Sequence, residues 1–130
     1  MGVTALSADR EIPRMPDRPP LPEPFRCDVV PGHGHVRVIP VGELDLATGT
    51  ILEQKLRDLV DSGFDRLVID LRRLVFMDSS GLRLLLRWDE TARRDGTELS
   101  VIAGPPEVQR VFETTRLLDR LTFVDPPPDS

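Results

Sequence analysis

Leu67-Val68-Ile69 is a short apolar run without alternation, set between two stretches of helical period. A strand of that kind is covered on both faces, as in a parallel sheet, and parallel neighbours need a crossover between them. Upstream, Leu52, Leu56, Leu59 and Val60 fall at i, i+4, i+7 and i+8 and make one stripe of a helix over about 46–62. Asp45 stands at its N-cap position and Gly63 just beyond its end. Downstream, a second helix is predicted over about 80–94. Arg83, Arg87, Glu90 and Arg94 form its polar stripe, Leu82, Leu85 and Leu86 face one side, and Leu84 and Trp88 another. Asp95-Gly96 ends it. A strand follows over 99–103, and Pro105-Pro106 open a third helix with Val108, Val111 and Phe112 turned inward. A last strand is expected over 121–124.

Before these elements, runs at 26–30 and 36–41 flank Pro31-Gly32-His33-Gly34, which is turn chemistry, so they read as a hairpin. His33 and His35 are then turn residues rather than ligands. Pro40 removes a ladder donor and should face an edge or a bulge. The order ββαβαβαβ predicts an α/β fold: a mixed, mainly parallel β-sheet with an N-terminal hairpin and packed α-helices.

The chain has 130 residues, and six of its 13 prolines lie in the first 24. That stretch alternates charge sign and has no apolar period, so it cannot offset its own ordering entropy. The expected organisation is a disordered Pro-rich arm over 1–25, one domain over 26–125 and a tail over 126–130. The formal charge of −5 argues against direct nucleic-acid binding, which needs a basic patch. No apolar run approaches the length of a membrane span. The N-terminus lacks a basic-then-apolar leader, which points to a soluble cytoplasmic domain. Cys27, the single cysteine, permits neither an intramolecular disulfide nor a Cys-based zinc site.

Chemistry concentrates at Asp78-Ser79-Ser80-Gly81, where the strand-like run Leu74-Val75-Phe76-Met77 meets a helix. Simple capping explains a carboxylate and hydroxyls at such a place. A reactive serine is the other reading. A hydrolytic nucleophile needs a base in reach, and only the two turn histidines exist. The Gly-x-Ser-x-Gly elbow and the phosphate-cradling Gly-x-x-x-x-Gly-Lys loop are both absent, and the sole lysine, Lys55, lies mid-helix. No metal or other cofactor site is expected, and the protein is not expected to be an enzyme. A phosphoacceptor serine needs only an exposed hydroxyl, because a kinase brings the base and the nucleotide.

Phe76-Met77-Asp78-Ser79-Ser80-Gly81-Leu82, preceded by Val68-Ile69-Asp70-Leu71, resembles the phosphorylation segment of the bacterial STAS-domain anti-sigma factor antagonists. Gly42-Glu43-Leu44-Asp45 resembles the family's turn between second strand and first helix. The resemblance implies a partner switch. The unphosphorylated chain binds an anti-sigma factor that is also a serine kinase and so frees a sigma factor; phosphorylation releases it, and a phosphatase resets it. The implied acceptor is Ser79, with Ser80 helping to cap the helix and Asp45 and Asp78 close by. The implied partner surface holds Glu43, Asp45, Asp78, Ser80, Gly81 and Arg83. Three residues depart from the family's habit: Arg83, where a small residue is frequent, Arg116, where Gly is common, and Pro40. The alternative is a non-switching STAS adaptor in a signalling or lipid-transport complex.

Overall fold

A computed structural model describes residues 24–128. Of the expected arm only Pro24 and Phe25 fall within that range; the rest of the arm, and Asp129 and Ser130 of the tail, lie outside the described residues. Phe25, counted with the arm, is half-buried against the core.

Two strands, β1 (Arg26–Pro31) and β2 (Val36–Leu44), pair antiparallel from Arg26↔Val41 to Pro31↔Val36. The turn between them closes with the Gly32 amide donating to the His35 carbonyl at 2.8 Å, and Gly34 takes φ 73°. His33 and His35 sit in that turn, as expected. On its other side β2 changes partner. Val36–Val38 pair parallel with β3 (Arg66–Asp70), and Gly42–Leu44 with β4 (Leu74–Met77). Pro40 falls in the gap between these two pairings, just before a register shift at Gly42/Glu43. Its missing donor is tolerated there because that side of the strand carries no ladder.

The sheet continues from β3 to β5 (Glu98–Ile102), giving the order β1-β2-β3-β5 with β4 on the second half of β2. Between the strands run helices α1 (Leu46–Asp61), α2 (Ser79–Asp95) and α3 (Pro106–Thr115). The mainly parallel mixed sheet with its hairpin is therefore as the sequence predicts.

Three details differ. First, Leu74–Met77 is a full strand rather than a lead-in. Second, 121–124 makes a single bridge, Val101↔Phe123, and no strand. The chain leaves a 3-10 turn at Leu118–Arg120 and soon meets prolines without donors, so only Val101 is reached on both sides. Phe123 is held instead by its ring, edge-on to Phe112 with centroids 5.4 Å apart. Third, Val68 is only half-buried. Leu67 and Ile69 enter the core with Leu52, Leu56, Leu85 and Phe112. Val68, Arg37 and Ser100, at alternate positions, line a broad groove of about 690 Å³. Trp88 is buried, with the Arg57 guanidinium 5.8 Å from its ring centre.

Arg116 ends α3 at φ 58°, a left-handed conformation that favours glycine. An L side chain there costs about 1 kcal/mol. Arg116→Gly should therefore raise stability by about 0.5–1 kcal/mol, after the extra freedom of glycine in the unfolded chain is counted. Thermal unfolding would show a midpoint higher by a few degrees; an unchanged or lower midpoint would mean that the Arg116 side chain makes compensating contacts.

Candidate functional site

The two segments singled out in the sequence meet at one edge of the sheet. β2 and β4 run parallel with Glu43 opposite Phe76 and Leu44 opposite Met77, so both strands finish together. The Asp78 amide donates to the Leu44 carbonyl at 3.2 Å and ties the segments directly. Gly42-Glu43-Leu44 is the irregular end of β2, not a turn. Gly42 takes φ 110°, which accounts for a glycine at the register shift.

Each strand hands over to a helix through an aspartate. Asp45 caps α1 in a reciprocal box: its Oδ1 accepts from the Thr48 amide at 3.0 Å, and its own amide donates to Thr48 Oγ1 at 2.9 Å. The amide bond from Thr48, then its hydroxyl, holds the Asp45 carboxyl below the usual carboxylate range. Asp78 caps α2, its Oδ1 accepting from the Ser80 and Gly81 amides at 2.9 and 3.2 Å. Ser80 was expected to help cap this helix. The structure corrects that role: Ser80 contributes an amide to the cap, and the accepting oxygen is that of Asp78.

Ser79 is the first residue of α2 and is exposed. Around it Glu43 and Arg83 are exposed, while Asp45, Asp78 and Ser80 are half-buried. Gly81 is buried, because α2 passes close over the strand ends. A Cβ at Gly81 would lie 2.7 Å from Met77 Cγ and 3.0 Å from Leu44 Cγ and Cδ2. Both neighbours are fully buried and have little room to yield. Gly81→Ala should cost about 1 kcal/mol net, overpacking outweighing alanine's helix preference. A thermal melt checks this; a stabilised variant would mean that α2 stands clear of Met77 and Leu44.

Two side chains here escape the sequence reading. Leu46, next to Asp45, is 77% exposed, and Phe76, opposite Glu43, is 46% exposed. Leu46 lies off the Leu52–Leu56 stripe, which was a usable signal. Phe76 gave none, since Leu74-Val75-Phe76-Met77 is apolar throughout. The acidic rim thus has large apolar groups beside it, the composition of a contact surface.

Catalytic alternatives find no support in the neighbourhood. Both histidines lie in the β1–β2 turn, at the opposite end of β2 from Ser79. Burial pushes the Cys27 thiol up to about 11, well away from a reactive thiolate. Among the described residues no group of three His, Cys, Asp or Glu is placed to hold a metal, and no helix is long and apolar enough to cross a membrane. The broad groove on the sheet does not include Ser79.

Residues 31–124 match the family model described as "Mlab, STAS domain". The BtrV protein of Bordetella bronchiseptica, which carries the name of an anti-sigma factor antagonist, is 36% identical over 59% of this chain and 66% of its own length. An anti-sigma-B factor antagonist of Staphylococcus aureus is 31% identical over 60% of this chain and 72% of its own. The crystal structure of an anti-sigma factor antagonist from Mycobacterium paratuberculosis superposes with a TM-score of 0.67 at 28% identity, covering 82% of this chain and 89% of that one. With the family model spanning residues 31–124 and relatives and fold in agreement, the chain belongs to the STAS-domain family of anti-sigma factor antagonists.

Proposed function

We propose that this protein binds an anti-sigma factor with serine kinase activity through the edge formed by Glu43, Asp45, Asp78, Ser80, Gly81 and Arg83, and that phosphorylation of Ser79 releases it. It acts in the cytoplasm by binding, without catalysis of its own. The observation that carries this reading is the exposure of Ser79 at the start of α2, directly after the capping Asp78, on the edge where the paired ends of β2 and β4 lead into the two aspartate-capped helices. In the transfer, the Ser79 oxygen forms a bond to the terminal phosphorus of a nucleoside triphosphate held by the partner. The bond from that phosphorus to the diphosphate breaks, and the hydroxyl proton passes to a base of the partner.

Electrostatics supports release as the outcome. The new group brings nearly two negative charges to a surface already holding Asp45, Asp78 and Glu43. Unit charges at roughly 6 Å repel by about 1–3 kcal/mol at intermediate to high dielectric. Burying such a cluster against a partner costs more. The experiment is incubation of the full chain with its cognate anti-sigma kinase and ATP. Phosphate should enter the parent chain and not Ser79→Ala. Uptake by Ser79→Ala but not by folded Ser80→Ala would move the acceptor by one residue. Binding without any uptake would make the protein a non-switching adaptor.

A further inference from the structure

A phosphoryl group on Ser79 would meet an N-terminal turn in which the next three amides, those of Ser80, Gly81 and Leu82, are engaged. Asp78 Oδ1 holds those of Ser80 and Gly81, and the Asp78 carbonyl accepts the Leu82 amide at 3.3 Å. Amides carry no net charge, so a full counter-charge comes from a side chain. Within the first two turns of α2 the only cation is Arg83, four residues beyond Ser79. Residues so spaced share a helix face, with about 5–6 Å between their Cβ atoms. Arg83 is exposed and forms no ion pair among the described residues, whereas Arg37, Arg66 and Arg93 each hold a carboxylate. Arg83 also has Arg87 one turn further on, a like-charge spacing that an anion would relieve. Both arginines and Ser80 line a small cleft of about 110 Å³ with Asp45 and Glu53 of the α1 side.

We infer that Arg83 is an internal phosphate clamp: when Ser79 is phosphorylated, the Arg83 guanidinium pairs with the phosphate across one turn of α2 and holds it along the helix. The inference rests on Ser79 as the acceptor. The pairing offsets part of the added charge, so it tempers the release of the partner and makes the phosphorylated state sensitive to salt.

The test uses the full chain with phosphoserine placed at 79 during synthesis, so no kinase is needed. The second ionisation of the phosphate, near pH 6 in an unperturbed phosphoserine, is followed by phosphorus NMR. Arg83→Gln should raise that pKa by about 0.3 of a pH unit. Arg83→Lys should restore a large part of the difference, and about 1 M salt should remove it. Asp78, Glu43, Asp45 and Glu53 keep their places in every variant, so their contribution cancels. Equal values in the parent and Arg83→Gln overturn the clamp, as does a shift produced by Arg87→Gln and not by Arg83→Gln. Failure here leaves the acceptor reading intact. Failure of a kinase to modify Ser79 leaves this measurement intact, so the two ideas fail separately.

Discussion

Asp70→Asn lowers the stability of the folded chain by about 2–4 kcal/mol at neutral pH. Asp70 is 1% exposed at the end of β3. Its oxygens accept from Arg72 Nη2 at 2.7 Å, Arg37 Nη1 at 2.9 Å, Arg72 Nε at 3.0 Å and the Arg72 amide at 3.1 Å. An asparagine keeps the shape, loses the charge and turns an amide donor toward arginine donors. Both arginines reach solvent, which keeps the loss below that of a fully enclosed pair. Burial works to raise the Asp70 pKa, but the bonds from the Arg72 side chain and amide and from Arg37 outweigh it, and the carboxyl sits below its ordinary 3.8. A folded-state pKa below the unfolded one gives stability that is complete above 3.8 and is lost as pH falls through the folded value. The gap between parent and variant in urea unfolding should hold from neutral pH to about pH 5 and narrow below 4. A gap under about 0.5 kcal/mol at pH 7 would show that the network contributes little. The network matters beyond stability, since Arg72 and Arg73 form the bend into β4, and the Arg73 carbonyl accepts from the Gly42 amide. The platform that carries Ser79 hangs from that bend.

This network also marks where the sequence stops being informative. Arg37 and Asp70 are 33 residues apart, and nothing local announces their pairing. Most helix boundaries were legible because their chemistry is local. Asp45 and Gly63 flank α1, and Asp95-Gly96 closes α2 with Gly96 at φ 78°. Strand edges were less so. Apolar character alone made Leu67-Val68-Ile69 look covered on both faces, but a face is covered only if a helix reaches it, and Val68 is left beside the groove. Similarly, Leu74-Val75-Phe76-Met77 conceals that its middle pair is exposed and its outer pair buried. For the site, sequence resemblance chose the segments, and the β2–β4 register brought them together. The capping role given to Ser80 belongs to Asp78, two residues earlier, because Asp78, Ser79 and Ser80 are all good capping types and only backbone geometry separates them.

Phosphorylation of Ser79 should weaken binding to the cognate anti-sigma factor about a hundredfold, equivalent to about 3 kcal/mol. The estimate combines repulsion from Asp78 and Asp45 with the cost of desolvating a cluster that includes Glu43. Ser79→Ala removes the acceptor oxygen and adds no charge, so its affinity should stay within about twofold of the unmodified parent. Ser79→Asp brings about one charge on a shorter arm and should cost about tenfold. Leu46 and Phe76 flank the charged rim and do not titrate, so their contribution should be common to all three forms. Ser80→Ala supplies the structural control. Since Asp78 accepts the cap bonds, this variant should lose less than about 0.5 kcal/mol, whereas a serine that capped α2 would cost about 0.5–2. Titration calorimetry with the anti-sigma factor, alongside urea unfolding of each variant, reads both quantities. If the phosphorylated chain binds as tightly as the parent, charge at Ser79 does not control the partner, and the edge between Asp45 and Asp78 is not the contact surface. If Ser79→Ala binds a hundredfold more weakly while staying folded, the hydroxyl itself is a contact, and release follows from losing that hydrogen bond rather than from repulsion.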